Sequence, residues 1–513
     1  MKKRFMKVLA SSIVVIAFIP PLCAKNDKTS QTFFMPRTST ENGVLEMALN
    51  GFELTHAQYK HDQAEYVRPK NRPMVYFQDI YYMEQSRNDE DLAKYFLLGN
   101  KTELNVLQSG GGDIYSGWLG LYGSTGHYDK MFSIRPKRKI FGATINYHQD
   151  LSPMVNNLWF AAFLPVVKAE HYLKLIEYKQ GEAAVESIGT PLSFNQPNPN
   201  PASARFTDIR SALNNMYWKY GKFSTSKMHL VSLDDLQLKL GYNILTNYKK
   251  YHWGVYGDLL IALGDAPKAD YLFESMVGNG GHTGLGIGTN FDCSIFTGKK
   301  RNIFLYGDLK YRYLFSSTEK RSFDLVNNGN WSRYMWVVKN DGLGTLDYGI
   351  NNFTRDLKVK PKSQFEGLLA LHGKFSDFNV ELGYNLWAKQ AEKVSLKQAW
   401  NAETENIGLP AYTAGGVLQT AVTGSAGKIA NNVRDSRQVA SDSSFVRIQA
   451  SDLNLASAAH QSVLAQKFYA GVGLNYRFFK RPCMIGVTGS YEFGSSNTAL
   501  DQWGIMLNTN FSF

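Results

Sequence analysis

A chain of 513 residues with 44 Gly, 13% aromatic residues and a formal net charge of +12 is long enough for several soluble domains or one large barrel. Abundant Gly beside abundant Tyr, Phe and Trp suits β-structure better than a helical protein. No apolar run after the N-terminus reaches the roughly 20 residues of a membrane helix, which excludes a helical membrane protein; the positive balance names no partner by itself.

At the N-terminus, Lys2, Lys3, Arg4 and Lys7 precede an apolar run from Val8 to Ile19 and then Leu22-Cys23-Ala24. These are the three parts of a secretory signal, residues 1–24, cleaved after Ala24. Its removal takes the net charge from +12 to +8 and leaves Cys293 and Cys483, on strands too far apart in the expected order to form a disulfide framework. Residues 25–112 are mixed. Val44, Leu45, Ala48, Leu49 and Phe52 recur at helical spacing, Asn88 to Leu98 reads as a short helix with an acidic start, and Lys101 to Val106 reads as a strand. The expectation is an N-terminal periplasmic extension under a barrel, with a plug inside the barrel as the alternative.

Residues 113–513 alternate with period two. The expected spans are Ile114 to Tyr122, Arg138 to Gln149, Leu158 to Glu170, Asp235 to Thr246, Trp253 to Leu263 and Thr283 to Phe296. They continue with Asn302 to Phe315, Phe365 to Gly373, Val380 to Lys389, Lys467 to Phe478, Met484 to Phe493 and Gln502 to Phe513. Pro165 marks a bulge or a rim position. In the well-patterned spans every charged residue lies opposite the aliphatic and aromatic side. In the last span, Trp503, Ile505, Leu507, Thr509, Phe511 and Phe513 share one face, and Gly504, Met506, Asn508, Asn510 and Ser512 the other. An apolar face opposite a small or polar one is what a strand needs between lipid and an aqueous lumen.

The terminal Phe-Ser-Phe resembles the C-terminal strand of Gram-negative outer-membrane β-barrel proteins, with Asn508 where that family often has Gly. The resemblance implies that Phe511 and Phe513 are the signal read by the barrel-assembly machinery, and that lipid and lipopolysaccharide surround the protein in the outer membrane. The expected fold is all-β, a transmembrane antiparallel up-and-down barrel of about 12 strands, with 14 as the alternative. With both ends in the periplasm, five connections on that side are short and most of the outer ones are long, as in such barrels.

Chemistry is sparse. No zinc-binding His-Glu-x-x-His, nucleophile turn or complete phosphate loop occurs, so neither enzyme, metal nor other cofactor is expected, and no nucleic-acid partner. Asp234-Asp235 reads as a solvated loop edge. Lys239, Asp258, Asp308, Lys310, Arg312, Glu381, Lys389, Arg477 and Glu492 fall on inner faces and are the expected pore lining; Asp292 and Glu366 share that side. Arg321, Asp324, Trp331 and Arg333 are the expected constriction loop. The inward glycines point to free space. Together these features point to a porin-like passive channel for small hydrophilic solutes, modestly anion-favouring; the alternative is a non-conducting surface, adhesion or envelope barrel acting through its outer loops, with an outer-membrane hydrolase a lesser one.

Overall fold

Period-two alternation closes into a wall of twelve antiparallel strands, each paired with its neighbours in sequence. The computed structural model describes residues 27–49, 75–107, 112–121, 128–179, 206–247, 251–298, 301–339, 346–414, 417–420, 445–479 and 481–512. The expected signal segment and Phe513 lie outside them. The strands are β1 Val75–Ser86, β2 Lys137–Asp150, β3 Leu158–Tyr172, β4 Leu236–Asn247, β5 Tyr251–Ile261 and β6 Gly284–Thr297. The other six are β7 Arg301–Leu314, β8 Lys362–Phe375, β9 Phe378–Lys389, β10 Val463–Phe478, β11 Arg481–Gly494 and β12 Gln502–Ser512. The barrel closes where β12 pairs with β1, Tyr82 opposite Met506. Outward positions such as Ile287, Leu382 and Leu240 are apolar and 69%, 58% and 54% exposed, forming an apolar belt around the outside of the wall, as a barrel in lipid needs.

Eleven of the expected spans are barrel strands; the first is not. Ile114–Tyr115 joins a small sheet outside the wall, beside Glu103–Leu107, and Ser116–Leu119 is a 3₁₀ turn. The first barrel strand is Val75–Ser86. Its pattern is inverted in part: Ile80 and Tyr82 face inward and are buried, while Asp79 and Gln85 face outward. An apolar interior breaks the rule that identifies the other strands.

Nor are the inward glycines empty space. Four lie directly across from an inward aromatic on the next strand: Gly142 from Tyr82, Gly241 from Trp159, Gly288 from Tyr256 and Gly383 from Tyr469. Each ring lies flat over its glycine, so an added Cβ would come within 2.1 to 2.3 Å of ring atoms. A glycine here permits close approach by a neighbouring ring.

The long outer connections fold together as a cap with its own hydrophobic core, in which Tyr95, Phe96, Phe132, Phe223, Phe323 and Phe353 are fully buried. A short helix, α2 (Asp89–Phe96), supplies Leu92, Ala93, Tyr95 and Phe96 to that core from one face. Substituting Gly383→Val drives a side chain into the Tyr469 ring, and overpacking of this kind is expected to cost about 1–3 kcal/mol, read as a lower urea midpoint of the refolded barrel. Gly257→Val, whose Cβ meets nothing within 4 Å, leaves the midpoint unchanged.

Candidate functional site

Residues 27–49 descend from the cap through the lumen. At the top, Lys28 N–H donates to Asn497 Oδ1 at 2.8 Å, and the amides of Ser30 and Gln31 donate to the carbonyls of Leu97 and Tyr95 in the cap. Lower down, a 3₁₀ turn (Ser39–Glu41) and a short helix, α1 (Gly43–Met47), are wholly buried. The apolar repeat Val44, Leu45, Ala48 packs against Ile80, Phe163, Phe304, Tyr306 and Leu368 of the wall. At the foot, Asn508 and Asn510 donate to the carbonyls of Ala48 and Leu49 at 2.7 and 2.8 Å, and Leu49 N–H donates to Glu381.

Charge holds the middle of the segment. The Arg37 guanidinium donates to Glu366 Oε1 at 2.7 Å, to Glu492 Oε1 at 3.2 Å and to Asn385 Oδ1 at 2.6 Å. Glu366 also accepts Gly43 N–H at 2.6 Å, and a Cβ at residue 43 would stand 3.0 Å from that same carboxylate oxygen, which is why glycine serves there. Glu46 pairs with Lys239, and Ser39 N–H donates to Asp234 Oδ2 at 2.8 Å.

Eight of the nine expected pore-lining side chains come together in this lumen, all buried and all partnered. Asp258 pairs with Arg312 at 2.7 Å, Lys310 with Glu366 at 2.9 Å and Lys389 with Glu392 at 3.4 Å. Asp308 accepts the Tyr256 hydroxyl at 2.8 Å, and Glu381 accepts that of Tyr306 at 2.7 Å. Glu492 takes Lys467 at 2.8 Å besides Arg37. Arg477 stands apart, exposed at the end of β10 away from the cap. Phe511 is half-buried on β12 between Phe77 and Cys483. The expected constriction residues lie in the cap. Arg321 pairs with Glu319 and Glu392 and covers the Phe33 ring at 3.5 Å. Arg333 pairs with Asp324 at 2.8 Å, and the Trp331 indole donates to Phe96 O.

Sequence reasoning missed Arg37, Glu46, Glu84 and Lys467. The last opens its expected span, on the inner side, with its partners on strands not yet placed beside it; the other three precede the expected barrel, where no alternation covers them. It also took Asp234 and Asp235 for a solvated edge. Residues 228–233 continue β4 upward along β3, and at the junction Asp234, Asp235 and Leu236 face only Leu164 and Pro165. The extra residue is a bulge, and it turns both carboxylates inward, 2% and 0% exposed. Asp235 accepts the amides of Leu263, Gly264 and Asn279. Burial, then the neighbouring Asp234 charge, pushes Asp235 up to about 7. In the cap, burial raises Glu392 but Arg321 and Lys389 outweigh it, holding this carboxyl below its usual range; burial pushes the His460 ring down to about 3. Among the described residues no three His, Cys, Asp or Glu side chains converge as a metal site.

Two outcomes follow for the rim and the lumen. Asp235 binds its proton more tightly folded than unfolded, where a carboxyl titrates near 3.9 (an approximate reference value). Its contribution is therefore complete below about pH 4 and lost as pH rises through 7; a thermal melt series shows the slope, and Asp235→Asn flattens it. Arg37→Met leaves Glu366 and Glu492 to Lys310 and Lys467 alone, and breaking such a buried pair costs about 3 kcal/mol by urea titration.

No protein-family model matches the chain, and no curated protein matches it in sequence. Among solved structures it is similar to an outer membrane channel from Pseudomonas putida F1, at 9% identity over 87% of this chain and 100% of that one, with a TM-score of 0.36. The translocator domain of the autotransporter NalP from Neisseria meningitidis matches at 8% identity over 90% and 97%, TM-score 0.28. The Pseudomonas putida toluene transporter TodX matches at 8% over 94% of each chain, TM-score 0.24. Likenesses this distant leave the barrel's work to be argued from its own residues.

Proposed function

We propose that the protein is a gated outer-membrane channel for small hydrophilic solutes, closed in this structure by residues 33–49. The supporting observation is the polarity of the contact between segment and wall. Arg37, Ser39, Asn42, Gly43, Glu46 and Leu49 meet the wall through ion pairs and hydrogen bonds, so a displaced segment leaves behind charged and amide groups that water solvates readily. An interface made only of apolar contacts would leave a wall that solutes and water avoid.

Ion preference is the open variable within this reading. The net charge of the chain favours anions, whereas carboxylates outnumber Lys and Arg fourteen to nine among the buried described residues. We further infer that Phe511 and Phe513 are read during assembly. The second reading, a non-conducting surface barrel, draws on the cap, which has a hydrophobic core of its own.

Single-channel recording of the refolded full chain in a planar bilayer separates the two. The wild type is expected to be closed with rare openings, and Arg37→Glu, which sets a third carboxylate against Glu366 and Glu492, to open often. A salt gradient across the open variant reads the ion preference. An Arg37→Glu barrel that migrates as folded on a heat-modifiability gel but stays silent would overturn the channel.

A further inference from the structure

Every inward cation of the lumen named so far has a carboxylate within 4 Å, with one exception. Arg138, at the outer end of β2, is 4% exposed, and its Nε and Nη1 have no hydrogen-bond acceptor. Its backbone amide is fixed by Ser86 Oγ at 2.9 Å, so the residue is held in place while its head group is not matched. Directly opposite on β3 stands His171, 1% exposed, whose ring nitrogens make no close hydrogen bond, only weak ones toward the backbone of Phe273 and Glu274. The His171 ring lies parallel to Phe273 at 4.4 Å, which fixes its plane. The carboxylates that sense Arg138 are already engaged. Glu84 holds Lys467 and Asn42, Glu492 holds Lys467 and Arg37, and Asp234 accepts the amides of Ser39 and Asp235.

A guanidinium cannot discharge itself by losing a proton, and leaving its N–H groups buried without acceptors is costly. Buried polar atoms without partners that cluster in a folded protein mark a place for a missing ligand. We propose that Arg138 and His171 form a binding site for a small oxyanion, a carboxylate or a phosphate group, under the cap at the outer mouth of the lumen. The guanidinium supplies charge-assisted hydrogen bonds and the imidazole one N–H more. Because Ser39 of the lumen segment rests on Asp234 in the same neighbourhood, a shift of that segment opens the way to the pair. On the channel reading, on which this part of the inference rests, the solute carries an anionic group; the binding itself stands without conduction and is tested without it.

The test is thermal unfolding of the refolded full chain in detergent, with sodium chloride exchanged at constant ionic strength for sodium acetate or sodium phosphate. The wild type is expected to gain a saturable rise in midpoint with at least one of the two, and the stronger arm identifies carboxylate or phosphate. Arg138→Met is expected to start no less stable in chloride, because it removes a buried charge without a partner, and to lose the rise. His171→Phe preserves the stack on Phe273, keeps the fold and weakens the apparent affinity roughly tenfold. The site is overturned by a wild type indifferent to both anions, by an anion response that persists in Arg138→Met, or by an Arg138→Met barrel as destabilised in chloride as a broken ion pair would be.

Discussion

The constraint on which the rest of this molecule depends is that Arg37, a cation on the N-terminal segment, completes a charge network built by the wall. From β1 to β7 the chain of contacts runs Glu84, Lys467, Glu492, Arg37, Glu366, Lys310, with separations of 2.8, 2.8, 3.2, 2.7 and 2.9 Å. Three carboxylates and three cations alternate, all nearly devoid of solvent. Removing charges from water costs several kcal/mol each, and only close alternation of sign offsets it. The five contributing strands are therefore fixed relative to one another through a residue that belongs to none of them. Wall and segment form one electrostatic unit.

Filling the remaining space is a matter of shape. Tyr82, Trp159, Tyr256 and Tyr469 would crowd the lumen if they stood upright from the sheet; a glycine opposite each lets the ring lie down against the wall. Flattening these four rings leaves the axis to the segment, while their polar tips reach inward. The Tyr82 hydroxyl meets Ser39 at 2.6 Å, and those of Tyr306 and Tyr469 meet each other at 3.0 Å. Glycine and aromatic are thus one device, and at these four places a small inward residue is the seat of a ring, not open space.

Most of the wall was legible because a membrane strand with lipid on one side and polar groups on the other obeys a strict two-residue rule. Where the interior turns apolar the rule fails, as at β1, whose Ile80 and Tyr82 face Val44 and Leu45 of the segment. The inner-face charges were legible as a set, since Asp258, Lys310 and Arg312 sit on clean alternating strands. Their pairing was not, because it depends on which strands adjoin and on Arg37 and Glu46, more than two hundred residues away in several cases. The bulge at Asp234 and Asp235 was hidden for a related reason: period two assigns neighbouring residues to opposite faces, and a bulge suspends that rule at one place. Pro165, which carries no amide for the ladder, was its visible sign on the opposite strand.

The two ends of the segment are held differently, and that sets where it can yield. Its upper end is woven into the cap: Phe34 packs edge to face on Tyr95 at 5.4 Å inside the hydrophobic core, and Tyr95 donates to Phe33 O at 2.7 Å. Freeing it means opening apolar surface to water. The lower end rests on amide contacts from Gln78, Asn508 and Asn510 to the carbonyls of Ala48 and Leu49, and on the bond from the Leu49 amide to Glu381. Each amide–carbonyl bond is worth about 1 kcal/mol net, and water reaching the foot of the lumen can replace it. On the proposed channel reading, opening begins at the foot, near Leu49, and proceeds upward past the Glu46–Lys239 pair until it meets the charge network at Arg37.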